Sequence, residues 1–258
     1  MTTKFTLQQV EIANRLWWFD GNGKVTLTNG TFTAPKPNAF SLPHIVTCPG
    51  STPVCRKSCY VNGLERVNPG VYKCFEANEV SLKEILDNFD GSDQVATAIG
   101  FADWIRTNAS GGFRWHNSGD IIHSAHAIFI NIVCEHSPLV MHWIYTRTFD
   151  IVNYLAETPN LTVNISADAN NYEKACEIAR SFNLRLCYLT HDGYVPRDLP
   201  EGSVIFPDYP VRGRDLPDPK QSEWWQSLTL DQRKMVCPPD FFGQTEKHRC
   251  GPCRKCLW

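Results

Sequence analysis

The segment Leu42–Thr47 reads Leu-Pro-His-Ile-Val-Thr, and the loop Cys48-Pro-Gly-Ser-Thr-Pro-Val-Cys55-Arg-Lys-Ser-Cys59 follows it directly. The apolar and β-branched residues of the segment predict a buried strand. A helix predicted at Val71–Asn88 comes next and carries Cys74. Cysteines that lie between a first strand and a first helix predict ligands at the edge of an α/β fold.

Short apolar strands alternate with helices from this segment onward. The predicted strands are Leu42–Thr47, Gly112–His116, Val140–Thr146, Leu161–Ser166, Arg185–Thr190 and Ser203–Pro207. The predicted helices are Val71–Asn88, Asp93–Asn108, Ser124–Glu135, Thr148–Thr158, Asn171–Phe182 and a short one at Ser222–Leu228. This alternation indicates βαβ units and a parallel sheet. Six strands favour a partial (β/α)6 barrel with the helices outside, because no residues remain for two further repeats.

Three regions are expected along the chain. Residues 1–41 are interpreted as an N-terminal decoration that packs Trp17, Trp18 and Phe19 against the main body. Residues 42–207 form the predicted barrel with its cysteine loop. Residues 208–258, where the composition becomes irregular and rich in proline and then in cysteine, form a tail packed on the barrel.

Composition and charge limit the classes of function. The chain has 258 residues, of which 42% are hydrophobic and 20% charged, as in a globular domain. A formal charge of −2 does not support a generally basic nucleic-acid binder, although a local patch remains open. The N-terminus lacks the apolar core of a signal peptide, and no apolar run is long enough to cross a membrane. We therefore expect a cytoplasmic protein without membrane contact, in which eleven cysteines serve metals rather than disulfides.

The C-terminal cysteines predict a metal centre. Cys237, Cys250, Cys253 and Cys256 are spaced C-x12-C-x2-C-x2-C. The dense part of this pattern suits an iron–sulfur cluster, in which each thiolate binds a different iron. Four thiolates could equally hold a structural zinc ion in a tetrahedral site. Unligated cysteines are the remaining interpretation.

The N-terminal cysteines form a looser set. Cys48, Cys55 and Cys59 are spaced C-x6-C-x3-C, which matches no common zinc knuckle, and buried structural thiols are the alternative to metal ligands. Cys74 either supplies a fourth ligand or faces the core. The other three cysteines lie among apolar neighbours in predicted helices or strands and are expected to be small core residues. These three are Cys134, Cys176 and Cys187.

Polar residues gather where the predicted strands end. In a parallel sheet these ends meet at one rim, so a small-molecule site is expected there. The candidate catalytic residues at this rim are Arg114, His116, Asp120, Tyr145 and Arg147. Each has a structural alternative. Asp120 could cap a helix that starts near Ile121, His116 could be a histidine with satisfied hydrogen bonds, and Tyr145 and Arg147 could form a strand end with a salt bridge.

Several motifs together resemble one family. They are Cys48-Pro-Gly with Cys55 and Cys59-Tyr, Phe113-Arg-Trp-His-Asn-Ser-Gly-Asp120, Trp143-Ile-Tyr-Thr-Arg147, and Cys250-x-x-Cys253-x-x-Cys256-Leu-Trp. Over Leu42–Trp258 the chain looks like the gene-product-eighty-eight family of bacteriophage proteins. The resemblance implies a phage protein in the host cell cytoplasm, and the family name implies no reaction.

A more distant resemblance is architectural. A cysteine loop after the first strand of a partial barrel is similar to the radical S-adenosylmethionine enzymes. There, three cysteines hold a [4Fe–4S] cluster whose fourth iron binds the cofactor S-adenosylmethionine. The resemblance implies that Ser118, Gly119 and Asp120 hold the amino group of the cofactor and that Asn164 or Ser166 approaches its ribose. It also implies that the C-terminal cysteines hold an auxiliary cluster.

These observations lead to a main hypothesis and two alternatives. The main hypothesis is an iron–sulfur protein, a radical or redox enzyme with one cluster on the first cysteine set and a second metal centre on the C-terminal set. The first alternative is a non-catalytic module in which structural zinc fixes a tail that contacts nucleic acid or a host protein. The second is an iron–sulfur electron carrier or redox sensor.

Overall fold

Eight strands of the chain pair in the order in which they occur in the sequence, and they form one open sheet. The computed structural model describes residues 5–22, 36–59, 61–63, 67–87, 91–208, 218–243 and 247–256. The strands are β1 Phe5–Ile12, β2 Arg15–Asn22, β3 Ala39–Phe40, β4 Phe113–Trp115, β5 His142–Thr146, β6 Leu161–Ala167, β7 Arg185–Leu189 and β8 Val204–Phe206. Strands β1 to β3 are antiparallel, and β3 to β8 are parallel.

Helices connect most of the parallel strands, which confirms the predicted α/β class. They are α1 Pro53–Ser58, α2 Pro69–Asp87, α3 Ser92–Asn108, α4 Ser124–His136 and α5 Tyr172–Ser181. The helix predicted at Thr148–Thr158 is wrong in length and type, because only a 3₁₀ helix forms at Phe149–Tyr154. Its end is closed by a bond from the Leu155 N–H to the Val152 carbonyl, and Pro159 disfavours helical backbone at the residue before it.

The strand predicted at Leu42–Thr47 is also wrong. The first parallel strand is the short β3, and residues 44–47 form a turn. Pro43 has no N–H to donate to a strand ladder, and Ile45 has a φ of 68°, outside the strand region. The cysteine loop nevertheless follows the first parallel strand, as the sequence predicted.

The N-terminal hairpin extends the sheet. Strand β2 pairs with both β1 and β3, so residues 5–22 are continuous with the parallel strands. Trp17 and Phe19 are fully buried in the main core, where Phe19 stacks on Trp104 with ring centroids 3.7 Å apart. Trp18 is half-buried. These aromatic residues anchor the hairpin to α3.

The two faces of the parallel strands have different environments. Side chains alternate along a strand, and one set, which includes Trp115, Ile144 and Tyr188, packs against the helices in the main core. The other set borders a cavity. Cys134 and Cys176 belong to the main core, as expected. Among the described residues, no helix combines the length and apolarity needed to span a membrane.

The tail packs on the last strand. Its helices are α6 Glu223–Ser227, α7 Leu230–Met235, α8 Pro238–Phe241 and α9 Cys250–Cys253, with a 3₁₀ helix at Pro219–Gln221. Val236 forms a parallel bridge with Ile205 of β8, and the Cys237 N–H donates to the Ile205 carbonyl at 2.8 Å. Trp224 and Phe241 cover Ile205 in a second, smaller core. The segment before Cys237 thus continues the pairing beyond β8.

Candidate functional site

A cavity of about 560 Å³ brings both cysteine sets together. Its lining includes all seven predicted metal ligands, namely Cys48, Cys55, Cys59, Cys237, Cys250, Cys253 and Cys256. It also includes the predicted rim residues Arg114, His116, Ser118, Gly119, Asp120, Tyr145, Arg147 and Ser166. Residues almost two hundred positions apart therefore face one space. Its volume lies within the range of small-molecule sites.

The cysteine loop is held by a helix cap. The Thr52 hydroxyl oxygen is the N-cap of α1 and accepts from the N–H of Cys55 at 3.0 Å. The same hydroxyl donates to a carboxylate oxygen of Asp168, which is fully buried just after β6. The position of Cys55 is thereby tied to the end of β6.

A buried ion pair extends this connection to β5. Arg147 lies 2.8 Å (Nη1 to Oδ2) from the Asp168 carboxylate, and the exposed fractions of the two side chains are 9% and 0%. The Arg147 side chain is thus a strand-end residue in a salt bridge, the structural alternative considered for it. The pair also places a guanidinium beside the Cys59 thiol. A positive charge there would offset the charge of thiolates.

Asp120 joins two loops. Its carboxylate oxygens accept from the backbone N–H groups of Ile121 at 2.7 Å and Arg147 at 2.8 Å. Helix α4 begins later, at Ser124, so Asp120 is not its N-cap. Burial raises the pKa of Asp120 to about 6, although these hydrogen bonds act in the opposite direction. Asp120 fixes the rim and keeps lone pairs that a ligand's cation could use.

Two glycines permit close contact around the first cysteine set. A Cβ on Gly50 would lie 2.0 Å from the Arg147 carbonyl oxygen. A Cβ on Gly119 would lie 2.6 Å from Thr47 Oγ1 and 2.7 Å from the Leu42 Cβ. Gly119 has a φ of 83°, which favours glycine independently. The loop after β4 therefore needs a glycine in order to pack on the loop after β3.

His116 is a buried histidine without a hydrogen-bonded ring. Its side chain is 3% exposed, and neither ring nitrogen has a hydrogen-bond partner among the described residues. Burial, together with the charge of Arg114, lowers the pKa of His116 to about 3, so the ring is neutral. A neutral imidazole offers one donor and one acceptor. His116 and the Ser118 hydroxyl, which also lacks a partner there, are polar groups available to a ligand.

The tail cysteines surround Tyr145. Cys250 packs with Tyr145 on Trp143, and Cys256 packs with Tyr145 near Cys237. The guanidinium of Arg114 lies 4.9 Å from the centroid of the Tyr145 ring. Burial raises the pKa of Tyr145 well above its usual value, and the neighbouring thiols add to this rise. The Tyr145 hydroxyl is therefore a neutral donor.

Asn164 holds the tail rather than facing the cavity. Its amide nitrogen donates to the carbonyls of Ile144 and Cys256, at 3.2 Å each. Lys255 also binds the tail to the fold, through the carbonyls of Lys234 and Val236. Asn164 is absent from the cavity lining, whereas Ser166, two residues further along β6, is part of it.

Cys74 points away from the first cysteine set. Its thiol donates to the Gly70 carbonyl, one turn earlier in α2, at 3.2 Å. The lining instead contains the adjacent Phe75. Cys48, by contrast, lines the cavity, and burial raises the pKa of its thiol to about 12, with a further rise from Asp120. A thiolate at Cys48 therefore needs a cation to stabilise it.

The thiols are not arranged around a single ion. Within the described residues, no three Cys, His, Asp or Glu side chains form a group that could hold one metal ion. A zinc site requires all its ligands within about 2.3 Å of one point. In a cubane cluster the thiolates bind different irons, so they are spread more widely.

Sequence reasoning missed three residues at this site. The sequence prediction for strand β6 named Asn164 and Ser166 but not Asp168, although Asp168 directly follows this strand. Thr52 was recognisable from Thr-Pro before a short helix. Cys187 is buried in a hydrophobic cluster, as expected of a small core residue, but it also lines the cavity. Strand alternation separates Cys187 from Leu186 and Tyr188, but a sequence alone does not tell which face borders a cavity.

Comparison with known proteins gives one match. The family model described as gene product 88 matches residues 13–257. No curated protein and no solved structure matches the chain.

Proposed function

The chain belongs to the gene product 88 family, and since that name specifies no reaction, we propose a function from the cavity: an iron–sulfur protein that binds a small molecule between two metal centres. The supporting observation is that seven cysteines from two distant parts of the chain line one cavity of ligand-binding size. The dense C-x2-C-x2-C run of the tail favours a cluster over structural zinc. The zinc-binding module thus has weaker support.

Cys48, Cys55 and Cys59 would hold the first cluster. Thr52 and Asp168 fix the backbone of this loop, so that Cys55 is preorganised. Cys74, the other thiol nearby in sequence, donates to Gly70 and would leave the cluster with three protein ligands. A [4Fe–4S] cluster held in this way offers one iron to an exogenous ligand.

We propose that this ligand is S-adenosylmethionine or a molecule with similar polar groups. A reduced cluster would supply an electron to such a ligand if both were bound. The chain's own contribution is binding and orientation: His116 offers a neutral donor and acceptor, and Ser118 and Ser166 offer hydroxyls. Asp120 would accept from an ammonium group with its remaining lone pairs. Asn164, which holds the tail, would act only by positioning.

A partial barrel of the radical S-adenosylmethionine type is part of this proposal. Six parallel strands with helices on one face and a cavity on the other are consistent with it. An electron carrier or redox sensor is the second candidate, because two centres on one cavity would be close enough to exchange electrons. The radical enzyme differs from the electron carrier or redox sensor in that a ligand would bind at the open iron.

The test is anaerobic purification followed by iron and sulfide analysis. We expect iron with equimolar sulfide in the wild type, loss of one cluster in Cys55→Ala, and unchanged content in the matched variant Cys74→Ala. Addition of S-adenosylmethionine should change the electron paramagnetic resonance spectrum of the reduced first cluster. Stoichiometric zinc without sulfide would refute the iron–sulfur proposal. An unchanged spectrum would favour the electron carrier, and cluster loss in Cys74→Ala would indicate a site closed by four thiolates.

A further inference from the structure

Cys187 lies on the cavity face of β7. Its strand neighbours Leu186 and Tyr188 pack in the main core, and alternation directs Cys187 to the opposite face. The side chain is 2% exposed and is part of the cavity lining. A buried thiol thus sits on a rigid strand beside the tail.

Three cysteines from separate segments lie in or against one buried cluster at this point. Cys187 packs against Cys237, which follows α7, and against Cys256 of the tail. The Cys187 thiol also approaches the Asn164 side-chain oxygen at 3.8 Å, and Asn164 in turn holds the Cys256 carbonyl. Strand β7 contributes one of these thiols, and the tail contributes the other two.

We infer that Cys187 is a ligand of the second metal centre. The inference rests on the proposed function, since it adds a ligand to a centre proposed there. A ligand on β7 is held by a strand, whereas Cys250, Cys253 and Cys256 lie on or just after the four-residue helix α9, so Cys187 supplies the fixed point onto which these thiols close. With Cys187 the set has five thiols, one more than a four-ligand centre requires. One of Cys250, Cys253 and Cys256 therefore remains unligated.

The experiment counts metal in the second centre alone. In a Cys55→Ala background the first cluster is lost, and the remaining iron, zinc and sulfide per chain belong to the second centre. Adding Cys187→Ala should lower this content at least fivefold, as adding Cys237→Ala should. The matched controls are Cys134→Ala and Cys176→Ala, which remove buried thiols from the helix-side core and should leave the content unchanged.

A second variant and a thiol assay keep the test decisive. Cys187→Ser preserves the volume of the side chain, so metal loss in a variant with wild-type circular dichroism would not reflect misfolding. Metal content equal to that of the two controls would overturn the inference and leave the proposed function intact. No metal in either the wild type or the Cys55→Ala protein would overturn both. Metal-free protein in which Cys187 and Cys256 form a disulfide that reductant reverses would also overturn it.

Discussion

Replacing Gly119 by alanine tests whether this glycine serves the packing of the rim rather than the ligand. The added Cβ would lie 2.6 Å from Thr47 Oγ1, and Thr47 cannot easily yield because its hydroxyl donates to the Pro43 carbonyl. The second contact, at 2.7 Å, is with the Cβ of Leu42, which is fully buried. The backbone at residue 119 also has a φ of 83°.

The magnitude has two parts. A left-handed backbone costs an alanine about 1 to 2 kcal/mol, of which the lower entropy of the unfolded chain offsets a few tenths to about 1 kcal/mol. Overpacking against Thr47 and Leu42 adds about 1 to 3 kcal/mol. Summed, these contributions predict that Gly119→Ala lowers the free energy of unfolding by about 1 to 5 kcal/mol, with a central value of about 3 kcal/mol.

The assay is urea unfolding of the apoprotein, with Gly202→Ala as the matched control. Gly202 has a similar φ of 77°, but a Cβ there would meet no atom within 4 Å. The control should therefore lose only about 1 kcal/mol. Equal losses in the two variants would refute the reasoning, because backbone conformation alone would then explain the requirement for glycine at 119.

Two further changes test the buried charges and histidines. Asp168→Asn should lower the free energy of unfolding by about 3 kcal/mol, since it leaves the Arg147 charge buried without its counterion. The control Asp150→Asn breaks an exposed pair with Lys174 and should lower it by less than about 1 kcal/mol. Equal decreases in the two variants, measured by urea unfolding, would contradict the role of burial. Burial lowers the pKa of His142 to about 3. Between about pH 6.5 and 3, the unfolded chain therefore binds a proton that the folded chain does not. The free energy of unfolding consequently decreases by about 1.4 kcal/mol for each pH unit by which the pH is lowered through this window. His142→Gln should reduce the measured slope by that amount, and an unchanged slope would count against a neutral buried ring.

The fold class followed from local patterns, whereas the first strand did not. Strands β4 to β8 are short apolar runs, and their hydrophobic periodicity located them within one or two residues. Strand β3 has two residues, too few to show alternation. The more apolar run at Leu42–Thr47 led to a strand being predicted there, but Pro43 and Ile45 direct its backbone into a turn.

The candidate site was predictable where spacing carries information. The close spacing of each cysteine set indicated ligands, and the loop after the first strand indicated the rim. The roles of Asp120, Asn164 and Asp168 depend on partners far away in sequence, which spacing does not reveal. Cys187 has no cysteine near it in sequence, so its proximity to Cys256 appears only once the tail is packed on the sheet.

The order of the strands has a consequence for how the protein is made. Each strand from β2 to β8 pairs with the one that precedes it, so a chain emerging from a ribosome adds every new strand to an edge that already exists. The cavity is not assembled in this stepwise manner. Cys48, Cys55 and Cys59 are made before strands β4 to β8, whereas the tail residues that share the cavity with them are made last. A cluster on the first set of thiols, as proposed above, would therefore be accessible until the tail has been synthesised.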